Sequence, residues 1–264
     1  MTDHQLPQEL RRLFADGGRG RTLSVGLPSG ELLCAEDGRP AFWMSLDPAT
    51  ATQWSALRAE HPRSGLWPML LEETAQPWAA ARVEPDNPVL IGHFTAEGFM
   101  AEVWQEWVMQ APPEALAEIE PFGVLCPGLA DPGVPAGDPD EVAEWFAKQL
   151  EERGMCLGLA PAARGADALV AMGWQGAIHH NEWAVPMAAV VRSWEERFGA
   201  RVVCVGFNTL DLSIAAPPTD LEHALHVAAE HWAFCPDNIV QGAGDLRGYA
   251  EELVSAYSWS FWWD

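Results

Sequence analysis

Apolar residues recur at helical spacing most clearly over residues 186–198. Met187, Val190, Val191, Trp194 and Phe198 share one side there, and Arg192, Glu195 and Glu196 take the other. Gly199 supplies the stop. The period then falls to two. Residues 201–207 are rich in β-branched side chains, and Leu210, Leu212 and Ile214 alternate with Asp211 and Ser213. Asn208-Thr209 between them is short enough for an antiparallel hairpin. Pro217-Pro218 ends the second strand, and Thr219 or Asp220 caps a helix running to about Trp232. This helix–strand–strand–helix order predicts an α+β fold: a small antiparallel sheet with helices packed on it.

Upstream the pattern is mixed, and it predicts a second α/β region over residues 1–126. Residues 6–15 form a short helix. Residues 22–27 and 31–34 alternate around Pro28-Ser29-Gly30, a hairpin signal. Asp47-Pro48 opens a helix through Trp54, Leu57 and Arg58, with Asp as cap and Pro at the first helical position. Residues 66–71 are a strand that Pro68 assigns to a sheet edge. Residues 95–109 read as a helix with Phe99, Val103, Trp107 and Val108 on one side. Residues 127–140 carry four prolines, three glycines and three aspartates, and are expected to be a linker. A helix follows over 140–153, capped by Asp138-Pro139 and stopped by Gly154, and then a strand over 155–159. The C-terminal domain is expected to span 141–264.

Composition narrows the function classes. The 264 residues carry a formal net charge of -23, with 38 acidic and 15 basic side chains; all the basic ones but Lys148 are arginine. Such acidity disfavours nucleic acid backbones and anionic membranes, and it suits a basic protein partner. Fourteen tryptophans against two tyrosines leave some rings partly exposed. The five cysteines are widely spaced without a CxxC pair, so neither a disulfide framework nor a zinc ribbon is expected. No apolar leader or bilayer-length run is visible, which makes the cytoplasm the expected compartment.

Candidate chemistry is sparse. His223, His226 and Glu230 cluster within roughly 60° on the 220–232 helix, opposite its apolar stripe. That places the pair on a solvated face, and no metal is expected. His231 borders the stripe and reads as a buried, hydrogen-bonded histidine. The run His179-His180-Asn181-Glu182-Trp183 is a loop able to contact a ligand or partner. Residues 161–167 join a strand to a helix and could offer backbone N–H groups and Arg164 to an anion, without the glycine spacing of a phosphate loop. Cys235-Pro236-Asp237-Asn238 reads as a buried thiol at a helix end rather than a nucleophile. GxSxG, SxxK and HExxH are missing, so no catalytic residue and no cofactor is expected.

Three stretches carry a family resemblance: Leu159-Ala160-Pro161-Ala162-Ala163-Arg164-Gly165-Ala166-Asp167, Val191-Arg192-Ser193-Trp194-Glu195-Glu196-Arg197-Phe198-Gly199-Ala200-Arg201, and Ala229-Glu230-His231-Trp232-Ala233-Phe234-Cys235-Pro236-Asp237-Asn238. With the closing Trp259-Ser260-Phe261-Trp262-Trp263-Asp264 they resemble DUF4253, a bacterial domain family of unknown function. Leu66-Trp67-Pro68 resembles the region that often precedes it. The resemblance implies one domain design for Trp194, Asp237 and the terminal rings, and it lends no activity. The aromatic terminus is expected to close the domain core.

Two functions of different class follow. The leading expectation is a non-catalytic binding or regulatory module with an acidic, Trp-rich surface, of immunity type by analogy. The alternative is a small-molecule-binding protein or enzyme with a pocket built from Trp174, His180, Arg192, Trp194 and Asp237, with Arg164 and Asn181 as further contacts.

Overall fold

The structure is a computed structural model that describes residues 5–72, 83–178 and 180–264. Its strands are β1 (Gly30–Cys34), β2 (Pro40–Pro48), β3 (Leu66–Leu71), β4 (Cys156–Pro161), β5 (Arg201–Val205), β6 (Thr209–Ser213) and β7 (Ser258–Trp262). Every residue of β3 is buried, as is β4 up to its last residue, so both sheet faces need cover there. Helices α2 (Ala51–Ser64) and α4 (Pro139–Leu150) cover one face. Trp54, Leu57, Phe146 and Leu150 pack there on Trp43, Leu70, Leu157, Leu159 and Val203, with the short α1 (Gln8–Arg11) alongside. Helices α3 (Ala96–Gln110), α5 (Gly165–Ala171), α6 (Ala184–Arg197), α7 (Leu221–Phe234) and α8 (Leu246–Leu253) cover the other.

The sheet is larger than the sequence pattern implies, and it is mixed. Seven strands run in the order β1-β2-β4-β3-β5-β6-β7, with β3 and β5 parallel and every other pair antiparallel. The expected hairpin of residues 201–214 is present as β5–β6. The expected pairing of 22–27 with 31–34 gives way to β1 with β2, turning at Gly38 in the left-handed region. The helix expected from Asp47-Pro48 starts later. Thr50 and Gln53 form a reciprocal capping box, and Asp47-Pro48 end β2.

Pro68 lies in a central strand, not an edge. β3 pairs with β5 only at Leu70 and Leu71, beyond the proline, so no β5 carbonyl depends on a Pro68 N–H. At the proline end the Trp67 indole N–H reaches across to the Val202 carbonyl at 3.1 Å. A side chain there replaces a ladder bond. The 127–140 segment, expected as a linker, does not divide the sheet: β4, from beyond it, lies between β2 and β3, from before it. Its backbone bonds to the α6 end and to the stretch after β6, through Gly133 to Arg197 and Ala136 to Ala215.

A buried carboxylate fastens that strap. Glu230 on α7 is 1% exposed. It takes both Nη groups of Arg197 at 2.7 and 2.6 Å, the Trp194 indole N–H at 2.8 Å and the Ala130 amide at 2.6 Å. Arg197 in turn donates to the Ala130 carbonyl at 2.9 Å. Around it, Trp194 stacks on Phe261 with ring centroids 5.3 Å apart, and edge contacts join Trp259, Phe234 and His231. The terminal strand therefore closes the core, with Trp259, Phe261 and Trp263 buried and Ser260 and Trp262 turned outward.

The outer edge of β7 is also closed. Asn238 donates from Nδ2 to the Ser260 carbonyl at 2.7 Å and accepts the Trp262 N–H at 3.2 Å, as a neighbouring peptide unit would. The Cys235 thiol donates to the Trp262 carbonyl at 2.9 Å.

His231 is fully buried in this cluster, with Nδ1 3.1 Å from the Tyr249 hydroxyl. Burial, with Arg197 adding to it, holds its pKa well below the ordinary value of 6.5. The folded state thus keeps His231 neutral while the unfolded chain protonates it below about pH 6.5. Stability is full above that pH and falls below it by about 1.4 kcal/mol per unit from this group. Urea titrations of the wild type and His231→Phe at pH 7 and 5.5 are expected to show a smaller acid loss in the variant. Removing the Glu230 carboxylate leaves Arg197 charged and unpaired in the core. Glu230→Ala is expected to lower unfolding free energy by about 3–5 kcal/mol, read from the urea midpoint.

Candidate functional site

The sequence candidates fall into three separate places. Arg164 and Arg192 belong to a clasp between α5 and α6. Arg164 binds Glu195 through Nε, Glu196 through Nη1 at 3.0 Å and the Arg192 carbonyl at 3.2 Å. Arg192 binds Asp167 at 2.7 Å and the Pro88 carbonyl at 3.3 Å. Glu195 Oε1 accepts the Ala166 amide at 3.0 Å, so an internal carboxylate fills the place an anion would take at this turn. Burial pushes the Glu195 carboxyl up, against the pull of Arg164.

Trp194 lies in the core on Glu230 and is inaccessible. The pocket expected from Trp174, His180, Arg192, Trp194 and Asp237 is therefore not assembled as a unit.

His180 and Asp237 do pair, and Trp174 and Asn181 line one cleft beyond the end of β5. The Trp174 indole N–H donates to the Gly206 carbonyl at 2.9 Å, and its ring sits edge-on to Trp263 at 5.3 Å. His180 Nε2 is 2.9 Å from Asp237 Oδ2. The same oxygen accepts the Asp264 amide at 3.0 Å, and Oδ1 accepts from Gln241 at 2.8 Å. Asn181 accepts the Trp183 amide at 3.0 Å, forming a turn. His179 lies outside the described residues.

That cleft, between Glu84, Asp86, Trp174, Asn181 and Trp183, has a cavity volume of about 30 Å³. That admits a water, far below the roughly 300 Å³ at which small-molecule sites begin. No activated thiol serves the pair: burial pushes Cys235 up to about 12. His223 and His226 lie toward the outside of α7, His223 on the Asp131 carbonyl at 2.7 Å and His226 edge-on to Phe122 at 5.0 Å. Among the described residues no three His, Cys, Asp or Glu side chains group as a metal site.

A feature that sequence reasoning missed lies on the other layer. The buried positions of α4 are Ala143, Phe146, Ala147 and Leu150, a spacing that leaves Trp145 outside. Its ring is 53% exposed, and Tyr257, just before β7, is 41% exposed. With Val142 they line an apolar notch of about 230 Å³ rimmed by Asp138 and Glu141. Glu144 and Lys148 are exposed on the same helix, and Glu151 and Glu152 follow its end. Trp145 was detectable from the helical period. Tyr257 was not, since only the tertiary fold brings it to α4.

Comparison with known proteins gives one finding. Residues 156–264 match the family model of DUF4253, a domain of unknown function. No curated protein and no solved structure matches. The DUF4253 span starts at β4 and takes in the elements that build the His180 cluster, and α6, α7 and β7 of the Glu230 cluster, together with Tyr257; Ala130, α4 and Trp145 precede it.

Within the sheet, β4 and β5 of the DUF4253 span are separated by β3, which lies outside it. The matched segment of this chain thus has a gap that the upstream strand fills. Residues 156–264 expressed alone are expected to lack a cooperative thermal transition, and adding residues 30–155 should restore it. A sharp calorimetric transition in the fragment would show that β4 and β5 can pair without β3.

Proposed function

We propose that this protein is a non-catalytic binding module that recognises a basic protein segment through the notch at Trp145 and Tyr257. The observation that carries this reading is an exposed aromatic pair in an apolar notch with carboxylates on its rim. Interfaces use such aromatic anchors inside a polar surround. The excess of 38 acidic over 15 basic residues adds long-range attraction for a cationic partner. An immunity-type role, covering the basic surface of a toxic protein, is one use such a surface serves. The small-molecule reading draws support from the His180–Asp237 pair alone, and the cleft beside it is of water size.

The test is paired affinity capture from host lysate with the wild type and Trp145→Ala, quantified by mass spectrometry. A basic protein held by the wild type is expected to be depleted about thirtyfold by the variant and released by high salt. The exposed position leaves the melting temperature unchanged. Capture that Trp145→Ala and salt leave intact would overturn the assignment of this surface.

A further inference from the structure

Thirteen arginines are described, and nine of them hold a carboxylate oxygen within 3.7 Å. The four without such a partner, Arg11, Arg12, Arg19 and Arg21, fall in one run of 11 residues around Asp16-Gly17-Gly18-Arg19-Gly20. In a chain with 38 acidic side chains this clustering runs against the charge balance of the molecule.

Two of the guanidinium groups are held in place. Arg11 donates from Nε to the Leu6 carbonyl and from Nη2 to Gln5 Oε1, both at 2.7 Å. Arg21 lies over the Phe14 ring at 4.3 Å, and its Nε is buried with no hydrogen-bond acceptor. Gly65, in the left-handed region at the end of α2, makes room for it: a Cβ there would lie 2.2 Å from Arg21 Nη1. Gly17, Gly18 and Gly20 all have positive φ, so the loop that carries Arg19 is built from conformations glycine favours. Asp16, the carboxylate in the loop, is engaged by the Gly18 amide at 2.9 Å. Arg11, Arg19, Arg21 and the glycines, with Gln5, Asp16 and Thr22, line an open concavity of about 390 Å³.

We propose that this concavity binds a phosphate-bearing small molecule, with Arg11, Arg19 and Arg21 donating to its phosphoryl oxygens. Planar guanidinium groups match phosphate oxygens in paired fashion. The volume falls within the range of small-molecule sites. An extended polyanion such as nucleic acid would meet the field of the whole acidic surface. A small anion seated among the arginines is shielded from that field beyond a Debye length of about 8 Å in physiological salt.

Titration calorimetry of the full chain with inorganic pyrophosphate, and in parallel with inorganic phosphate, tests this. Saturable binding is expected, tighter for pyrophosphate. Arg19→Ala, at an exposed position, should weaken it roughly ten- to hundredfold with the melting temperature unchanged. Arg11→Ala and Arg19→Ala together should weaken it further. No heat from either anion, or equal affinity in the variants, would overturn the proposal. So would binding to phosphatidylserine vesicles without binding to pyrophosphate, or self-association that the arginine variants abolish while pyrophosphate has no effect.

Discussion

The Glu230 carboxylate fixes how the aromatic half of this molecule goes together. Buried ions are tolerated only when charge and hydrogen bonds are both matched, and here the match brings two separate parts of the chain to α7. Arg197 and Trp194 come from α6, and the Ala130 amide comes from the strap before α4. Once Trp194 is held by its indole nitrogen, the stacking position for Phe261 is set, and with it the register of the last strand on β6. A polar requirement thereby orders a cluster of large rings that hydrophobicity alone would pack in several ways. Asn238 completes the arrangement at the far edge, turning a side-chain amide into the last rung of the sheet.

The second constraint is topological. β3 stands between β4 and β5, and both its neighbours lie in the DUF4253 span. The chain therefore commits its upstream strand β3 to the centre of the sheet, and the Pro/Gly/Asp-rich segment works as a strap over a continuous structure. Loop-like composition reports that a segment forms no helix or strand. It does not report whether the elements on either side share a sheet, because strand pairing is set by contacts far apart in sequence.

Local signals in the sequence were informative wherever short-range physics decides. Helices stand over 96–110, 139–150, 184–197 and 221–234, close to where the pattern puts them. But Met100 and Trp104 are buried with Phe99 where Val103, Trp107 and Val108 were expected, and Glu195 and Glu230, read as facing solvent, are buried. The hairpin at Asn208 and the inward rings at the terminus follow their patterns. Pro68 misled because its edge preference assumes that a neighbour needs its N–H, and the β5 ladder begins two residues later. The candidate site was less legible. Arg192 looked available because the pattern shows which side of a helix is apolar, not which polar groups find internal partners; Trp194 already lay on the apolar side, and its burial follows that pattern rather than the expected pocket. The notch at Trp145 needed Tyr257, 112 positions away, before it could be seen.

Charge arrangement ties the two proposed surfaces together. Carboxylates outnumber cations so heavily that pairing is the low-energy course for any arginine, and nine arginines follow it. The four that do not are kept near one another by glycine conformations, by Phe14 and by the space at Gly65. Their mutual repulsion works against the fold, and an anion among them would relieve it. That relief adds to whatever hydrogen bonds the ligand makes. On α4 the reverse holds: like-charged carboxylates flank an apolar notch, and a cationic partner would relieve their repulsion while its apolar side chain leaves water. The same physical term, local like-charge density beyond what the fold neutralises, therefore marks both places, with opposite sign and opposite ligand.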